Sequence, residues 1–585
     1  MSPTNSISAK MSLRSAEGVM LSLRHRQPVD YFGGEDSNEE DSVEEEKHHT
    51  SEEECNDFCD SYDDEADSDE EAESEQPADE STLPGRRRTF VHGKNGYKWS
   101  TKPAKTRGRP STPTQHLPGP IKEALNARKP IDVWSLLFTD EMLENIVLHT
   151  NEEIQRRTDN LVPCTYNGKL DLVELKAFIG VLYFAGVRKQ NKVTLDEMWS
   201  LEFGSNFYMS VMSAKRFEFI GKVLRFNDKE TRNERKATDR LAPIRDLWET
   251  FISKCRDYYT PSNNVTIDEQ LLEFRGNFGA RVYIKSKPAR YGLKIISMND
   301  AKTHYMYNAI PYTGQVTSDR NELLPEYYVR VLCEPIYHTN RTVTFDNWFT
   351  TIRICAKMRS EFGLNTIGTI RKNKPQIPPS YVRPASIGLA RYAYNRDENI
   401  TLVSFCPKKN KVVLLVSTLH NKGVAGESGK PEIMEYYNKT KGGVGTFDQM
   451  ITLKSCARKT NRWPMRFFFG MLDQAGVNSA ILYNFLQHHD GLSRSDFLNA
   501  LCIALVWQHL QRRATLSALH KHVKSNILCI LGKRNEPVEN SDRMPKRKRC
   551  HFCPTKTDRK TFFCCYKCKE PVCDDHRLAC CPECL

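Results

Sequence analysis

Apolar positions recur at spacings of three and four from residue 118 to about 262, for example in Leu172–Val187 and Ile244–Tyr258. This periodicity predicts a mostly helical region. From Val265 the pattern shortens to β-rich runs at Val265–Ile267, Arg281–Ile284, Leu293–Met298, Tyr305–Ile310 and Thr342–Phe345. A helical stretch, Thr350–Glu361, and a strand-like Asn365–Ile370 follow. Residues 371–432 read as a separate basic, proline-containing unit with strands at Ile400–Phe405 and Val412–Val416. Helical spacing returns at about 432–454 and 464–515, and 530–549 is a polar linker. Residues 1–117 are rich in Ser, Glu, Asp and Pro and poor in aliphatics, which predicts a disordered tail. No internal repeat is evident.

Charge divides the chain unevenly. The 585 residues carry a formal net charge of +11, from 85 Lys+Arg against 74 Asp+Glu. Residues 35–80 alone hold 24 acidic residues and one basic, Lys47. The remainder therefore has 84 basic against 50 acidic residues, a net of +34, and a basic body points to a polyanion, most often nucleic acid. No run of 18 apolar residues occurs, which excludes a helical membrane span, and the N-terminus lacks the apolar stretch of a secretory signal. Within the tail, Ser51 and Ser68 precede acidic runs that suit acidophilic kinases. Arg107-Gly-Arg-Pro110 has the form of a minor-groove hook, or of a basic linker, and Pro545-Lys-Arg-Lys-Arg549 the form of a nuclear import signal.

Candidate chemistry gathers in two places. Asp268 and Asp346 each follow an apolar β-rich run, and an aspartate at a strand end projects from a rigid edge, as a magnesium ligand must. Nine of the 19 cysteines lie between Cys550 and Cys584. They include four pairs of ligands two residues apart: Cys550/Cys553, Cys565/Cys568, Cys573/His576 and Cys581/Cys584. Eight soft ligands in four pairs suit two structural zinc ions, and metal binding would supply much of the folding energy of so short a segment. In a cross-brace the first and third pairs share one zinc, and the second and fourth share the other. Cys564 and Cys580 adjoin ligands and could compete for the metal.

Several longer motifs occur in order. They are Ile267-Asp-Glu269, Ser286-Lys-Pro-Ala-Arg-Tyr-Gly292, Phe345-Asp-Asn-Trp-Phe-Thr350, Lys441-Gly-Gly-Val444 and Arg458-Lys-Thr-Asn-Arg-Trp-Pro-Met465. Together they resemble the piggyBac transposases over about four-fifths of the chain, and the tail organisation resembles the cellular, transposable element-derived members of that family. The resemblance implies a multidomain α+β chain. Its parts would be a disordered tail (1–117), helical dimerisation and DNA-binding segments (118–262 and 457–529), an RNase H-like DDE-type domain (263–370 and 433–456), an insertion subdomain (371–432), a basic linker (530–549) and a cysteine-rich zinc domain (550–585). The family excises DNA at TTAA sites and reinserts it, using aspartates that bind two metals.

Asp268 and Asp346 match the first two of those aspartates. The third position holds Gly445, in Gly442-Gly-Val-Gly445-Thr-Phe-Asp448, and only the assisting Asp448 remains. Loss of that carboxylate implies weak or absent catalysis. Basic residues within the motifs are expected to touch DNA: Lys285, Lys287, Arg290, Arg371, Lys374, Arg458, Lys459 and Arg462, with Trp463 stacking beside them. The expected protein is a nuclear, sequence-specific, homodimeric binder of double-stranded DNA that carries zinc, and magnesium if active. An active transposase and a factor that engages chromatin proteins are the alternatives.

Overall fold

The structure, a computed structural model, describes residues 89–103, 115–158, 164, 166–285, 287–314, 322–487, 491–532, 543–565 and 568–576. The acidic stretch 35–80, Ser51 and Ser68, the Arg107-Gly-Arg-Pro110 motif, Ser286, Cys580, Cys581 and Cys584 lie outside the described residues. The chain divides into two compact units, Met1–Met198 with Ser213–Val506, and Trp199–Met212 with Trp507–Leu585.

The first unit is built on one mixed sheet. Its strands are β1 (Phe90–His92), β2 (Lys98–Ser100), β3 (Asn264–Glu273), β4 (Val282–Tyr283), β5 (Tyr291–Asp300), β6 (Met306–Pro311), β7 (Thr342–Phe345), β8 (Asn365–Thr369), β9 (Ala390–Asn395), β10 (Ile400–Lys408) and β11 (Lys411–Ser417). They lie in the order β1-β2-β9-β10-β11-β8-β7-β3-β5-β4, with β6 beside β5. β7 runs parallel to both β3 and β8, while the other pairings are antiparallel. The helix Ile352–Ser360 supplies the crossover that a parallel β7–β8 pair requires. Thr351 caps it by accepting from the Ile354 amide.

Helices cover the sheet. Leu172–Val187 starts at Asp171, whose carboxylate accepts from the Glu174 amide at 2.8 Å, and is buried almost all round. Trp463–Leu486 is buried along most of its length, with Phe468 packed edge-to-face on Phe138 at 6.3 Å. The indole of Trp134 donates to Tyr183 Oη at 2.9 Å, and that hydroxyl donates to the Leu472 carbonyl at 2.6 Å, so three helices share one buried polar chain.

Three sequence expectations are corrected. Residues 89–103 are not part of a disordered tail: β1 and β2 form a hairpin whose Ser100 pairs with Tyr394 on β9. Trp99 is fully buried there and donates from its indole to the Gln376 carbonyl at 2.8 Å. Residues 371–432 are not separate, because β11 pairs with β8 and carries the central sheet outward without a break. Asp268 is not at a strand end. β3 continues to Glu273 because the polar Gln270 is buried and satisfied by Gln474, which donates at 2.8 Å.

In the second unit, Arg513 Nε donates to the Ser210 carbonyl at 2.9 Å and links the segment Trp199–Met212 to the chain after Trp507. The expected polar linker is partly ordered: Arg543–Arg549 forms a strand against Lys560–Phe563, with Lys546, Arg547 and Lys548 exposed.

Glu153 and Arg225 form an ion pair at 2.8 Å with both side chains 3% exposed. Burial raises the Glu153 pKa, but Arg225 and Arg157 outweigh it and hold it below the usual value. Its contribution to stability is therefore present above the unfolded carboxylate pKa and lost as the pH falls through the lower folded value. Glu153→Ala leaves a buried guanidinium uncompensated and is expected to destabilise the fold by about 3–5 kcal/mol, read from chemical denaturation at neutral pH. A loss under about 1 kcal/mol, the range of exposed pairs, would contradict the buried pairing.

Candidate functional site

Parallel registry places the acidic residues. Ile267 on β3 is level with Phe345 on β7, so Asp268 and Asp346 emerge side by side. Asp346 is the first residue after β7 and opens a tight turn: its carboxylate accepts from the Trp348 amide at 2.9 Å, and its carbonyl accepts from Thr350 Oγ1 at 2.5 Å. Glu269 joins them. One carboxylate oxygen from each of Asp268, Glu269 and Asp346 lies within 4.8 Å of the others, and all three residues are half-buried.

The cluster is electrostatically strained. Burial, then the charges of Glu269 and Asp346, push the Asp268 carboxyl well above the ordinary range. Burial and Glu269 push Asp346 up to about 6. Burial also raises Glu269, but Lys294, Asp268 and Lys287 outweigh it and hold that carboxylate low. Lys294 Nζ sits 3.7 Å from Glu269 Oε1 and 4.0 Å from the centre of the Trp348 ring. Glu269 Oε2 is buried and makes no hydrogen bond. Like charges crowded together with an unsatisfied oxygen fit a hard divalent cation.

The helix Gly443–Leu453 carries the region of the third expected ligand. It seats on β3 because Gly443 has no side chain: a Cβ there would lie 2.7 Å from Thr266 Oγ1. Gly445, two residues on, is exposed, and a Cβ would meet nothing within 4 Å. Asp448, expected to assist the catalytic pair, is not one of the clustered carboxylates. It accepts from Gln270 Nε2 at 3.3 Å, and burial raises its pKa against the opposing pull of Lys287 and Gln270. Glu269, part of Ile267-Asp-Glu269, joins the cluster although alternation along a strand aims its Cβ away from that of Asp268.

The basic residues separate into two groups. Lys285 and Arg290 are exposed on the turn between β4 and β5, and Lys287 Nζ on the same turn donates to the Glu269 carbonyl at 3.0 Å. Arg371 donates to Asn347, next to Asp346, at 3.2 Å, and Lys374 is half-buried on the same turn. Arg458 is buried, donating to the Gln190 and Asn191 carbonyls at 3.0 Å, while Lys459 beside it is exposed. Arg462 donates to the carbonyls of Gly221, Lys222 and Leu224. Trp463 packs on Phe278 at 4.8 Å and on Phe467 at 5.9 Å. Arg458, Arg462 and Trp463, expected at DNA, thus hold helices and loops together inside the first unit.

The second unit brings Cys550, Cys553, Cys573 and His576 together. Sulfur–nitrogen separations to His576 Nδ1 are 3.8, 3.7 and 3.3 Å, and Cys553 Sγ is 3.6 Å from Cys573 Sγ. Zn–S bonds of about 2.3 Å and Zn–N bonds of about 2.0 Å in a tetrahedron give edges of about this length. Burial opposes ionisation of Cys573, but contacts with His576 and Cys553 outweigh it and lower the thiol to about 7. Cys565 and Cys568 pack near Val572 and Phe552, while Cys581 and Cys584 lie outside the described residues.

Comparison with known proteins agrees with this architecture. The family model described as Transposase IS4 matches residues 129–480. Human PiggyBac transposable element-derived protein 2 is 23% identical over 377 residues, 60% of this chain and 60% of that protein. Human PiggyBac transposable element-derived protein 3 is 22% identical over 375 residues, 59% of this chain and 60% of that protein. The match thus spans about three-fifths of the length of these curated relatives. The cryo-EM structure of a piggyBac transposase synaptic complex with hairpin DNA superposes with a TM-score of 0.72 at 36% identity, covering 80% of this chain and all of that one.

Because Asp346 must lose its proton to coordinate a cation, divalent-ion affinity is expected to fall as the pH drops through about 6. Titration with Mn²⁺ between pH 5 and 7.5 measures this, and an affinity that ignores pH would contradict the site. Native mass spectrometry of Cys573→Ser is expected to show one zinc fewer than the unmodified chain, and an unchanged metal count would contradict the four-ligand grouping.

Proposed function

The chain belongs to the piggyBac family of transposases, and from that premise we propose that it is a DNA-binding protein that keeps the family scaffold with weakened or lost strand-cutting chemistry. The observation that carries the reading is the open position at Gly445. The helix that should present a third aspartate is seated on β3 as required, yet it offers no carboxylate there, and Asp448 is held by Gln270. The sheet order β6-β5-β3-β7-β8, three antiparallel strands followed by two parallel ones, supports an RNase H-like catalytic core.

Asp268, Asp346 and Glu269 would hold magnesium, which when bound polarises a phosphoryl oxygen and activates water. The chain's own part is positional. The Trp348 amide and the turn closed by Thr350 fix Asp346, and Lys294 steadies Glu269. Lys285, Arg290, Arg371, Lys374 and Lys459 would meet phosphates around this centre. Zinc in the cysteine-rich segment would fix the geometry of a module that recognises a DNA sequence or a chromatin protein. The exposed basic run Lys546–Lys548 supports import into the nucleus. A homodimer would follow the family pattern.

DNA affinity is expected to fall steeply with salt, and Lys374→Ala to reduce the slope by about one unit. A flat salt dependence would remove the DNA-binding reading. In an excision assay on TTAA-flanked DNA, the unmodified chain is expected to be weak or inactive and Gly445→Asp to raise excision, since the site has room for the side chain. Efficient excision by the unmodified chain would refute the loss of catalysis.

A further inference from the structure

The edge of the sheet nearest the β4–β5 turn carries an arrangement that the carboxylate centre does not use. Tyr283 on β4 lies directly opposite Tyr291 on β5, with ring centres 4.8 Å apart and planes tilted by 52°, so each ring turns a face outward on its own. Both are open to solvent, 50% and 39% exposed. Their backbone is tightly placed. Arg290 enters β5 from a left-handed conformation at φ 54°, and a Cβ on Gly292 would lie 2.4 Å from the Leu272 carbonyl, so β5 presses directly on β3 beside Tyr291. Cations lie over one of the two: the guanidinium carbons of Arg275 and Arg281 are 5.9 and 5.7 Å from the centre of the Tyr291 ring, and neither covers Tyr283. Arg281 is braced there, donating to the carbonyls of Arg275 and Gly276. Lys285 and Arg290 are exposed on the adjoining turn.

We propose that Tyr283 and Tyr291 form a stacking platform for an unpaired base of a DNA strand that passes the carboxylate centre. Flat aromatic faces bind the π-face of any base, and the surrounding cations suit the phosphates on either side of it. Paired bases within a duplex offer no such face, because they are covered by one another; an unpaired base of an overhang or an extruded nucleotide does. The register locates the platform. Asp268 is level with Ser297, and Tyr291 lies six residues from Ser297 on the same strand, about 20 Å away at roughly 3.3 Å per residue. The turn between the two tyrosines folds back toward the carboxylates, bringing Lys287 to the Glu269 carbonyl. One hairpin thus presents both the platform and a lysine at the metal site.

This inference rests on the DNA-binding reading above, and its test separates the two. The full chain and its Tyr283→Ala/Tyr291→Ala variant are titrated with one duplex in two forms, blunt and with a short single-stranded overhang, over a range of salt. The unmodified chain is expected to favour the overhang. The variant is expected to lose about tenfold in affinity for the overhang, none for the blunt form, and nothing from the salt slope, since no phosphate contact is removed. Tyr283→Trp/Tyr291→Trp should retain the preference. Equal affinity of the unmodified chain for both forms, equal losses by the variant on both, or a loss that tryptophan does not restore would each overturn the platform while leaving DNA binding intact. Absence of salt-dependent binding to either form would overturn both readings.

Discussion

Repulsion among Glu269 and two aspartates on neighbouring parallel strands is the constraint at the centre of the first unit. β3 and β7 are locked in register by backbone hydrogen bonds, so Asp268 and Asp346 cannot drift apart without breaking the sheet. Each is half-buried, which adds desolvation to like-charge repulsion, and both carboxyls are held above their ordinary range. A fold that keeps such a pair pays in stability at neutral pH, and a bound cation is the simplest relief. The surrounding features follow from that constraint: the turn that donates amides to Asp346, the lysines near Glu269, and the helix pressed onto β3 at Gly443.

That helix shows how scaffold and chemistry can separate. Gly443 is needed for packing, since any side chain there would strike Thr266. The position at 445 faces open space, so packing places no demand on it. A carboxylate at 445 could be lost with little effect on the fold, whereas a change at 443 would unseat the helix. The absence of a side chain at 445 therefore leaves the packing of this helix on β3 intact.

Much of the architecture was legible in the residues. The helices Leu172–Val187 and Trp463–Leu486 and the strands β3, β7 and β8 declare themselves by periodicity, because each buries a face wherever its partner lies. What was not legible depends on partners distant in sequence. Residues 89–103 look like tail because one tryptophan and a few alternating residues become a hairpin only against β9 and the Gln376 carbonyl. The strands after residue 390 looked separate because pairing of β11 with β8 leaves no local signal. At the site, Asp268 and Asp346 were readable from the strands before them. That Arg458 and Arg462 donate to carbonyls inside the first unit is not legible in the sequence, because a basic residue near a DNA-binding motif looks the same whether it meets phosphate or carbonyls. Glu269 escaped because alternation gives the direction of Cβ and not the reach of a longer side chain.

The charge at the site argues for one cation rather than two. Ionised Asp268, Glu269 and Asp346 total minus three, and Lys294 at 3.7 Å from Glu269 together with Lys287, whose charge acts on Asp268 and Glu269, brings the local sum to minus one. One divalent ion then leaves the half-buried centre near neutral, at plus one. A second would bring it to plus three, with Asp448 outside the cluster and no carboxylate at 445 to offset it. Excess charge of that size in a partly desolvated site is strongly unfavourable. A single ion can still order the three carboxylates and attract a phosphate. In-line displacement with both the attacking and leaving oxygens stabilised takes two. The electrostatics that suits this carboxylate centre to one divalent ion therefore works against its holding two.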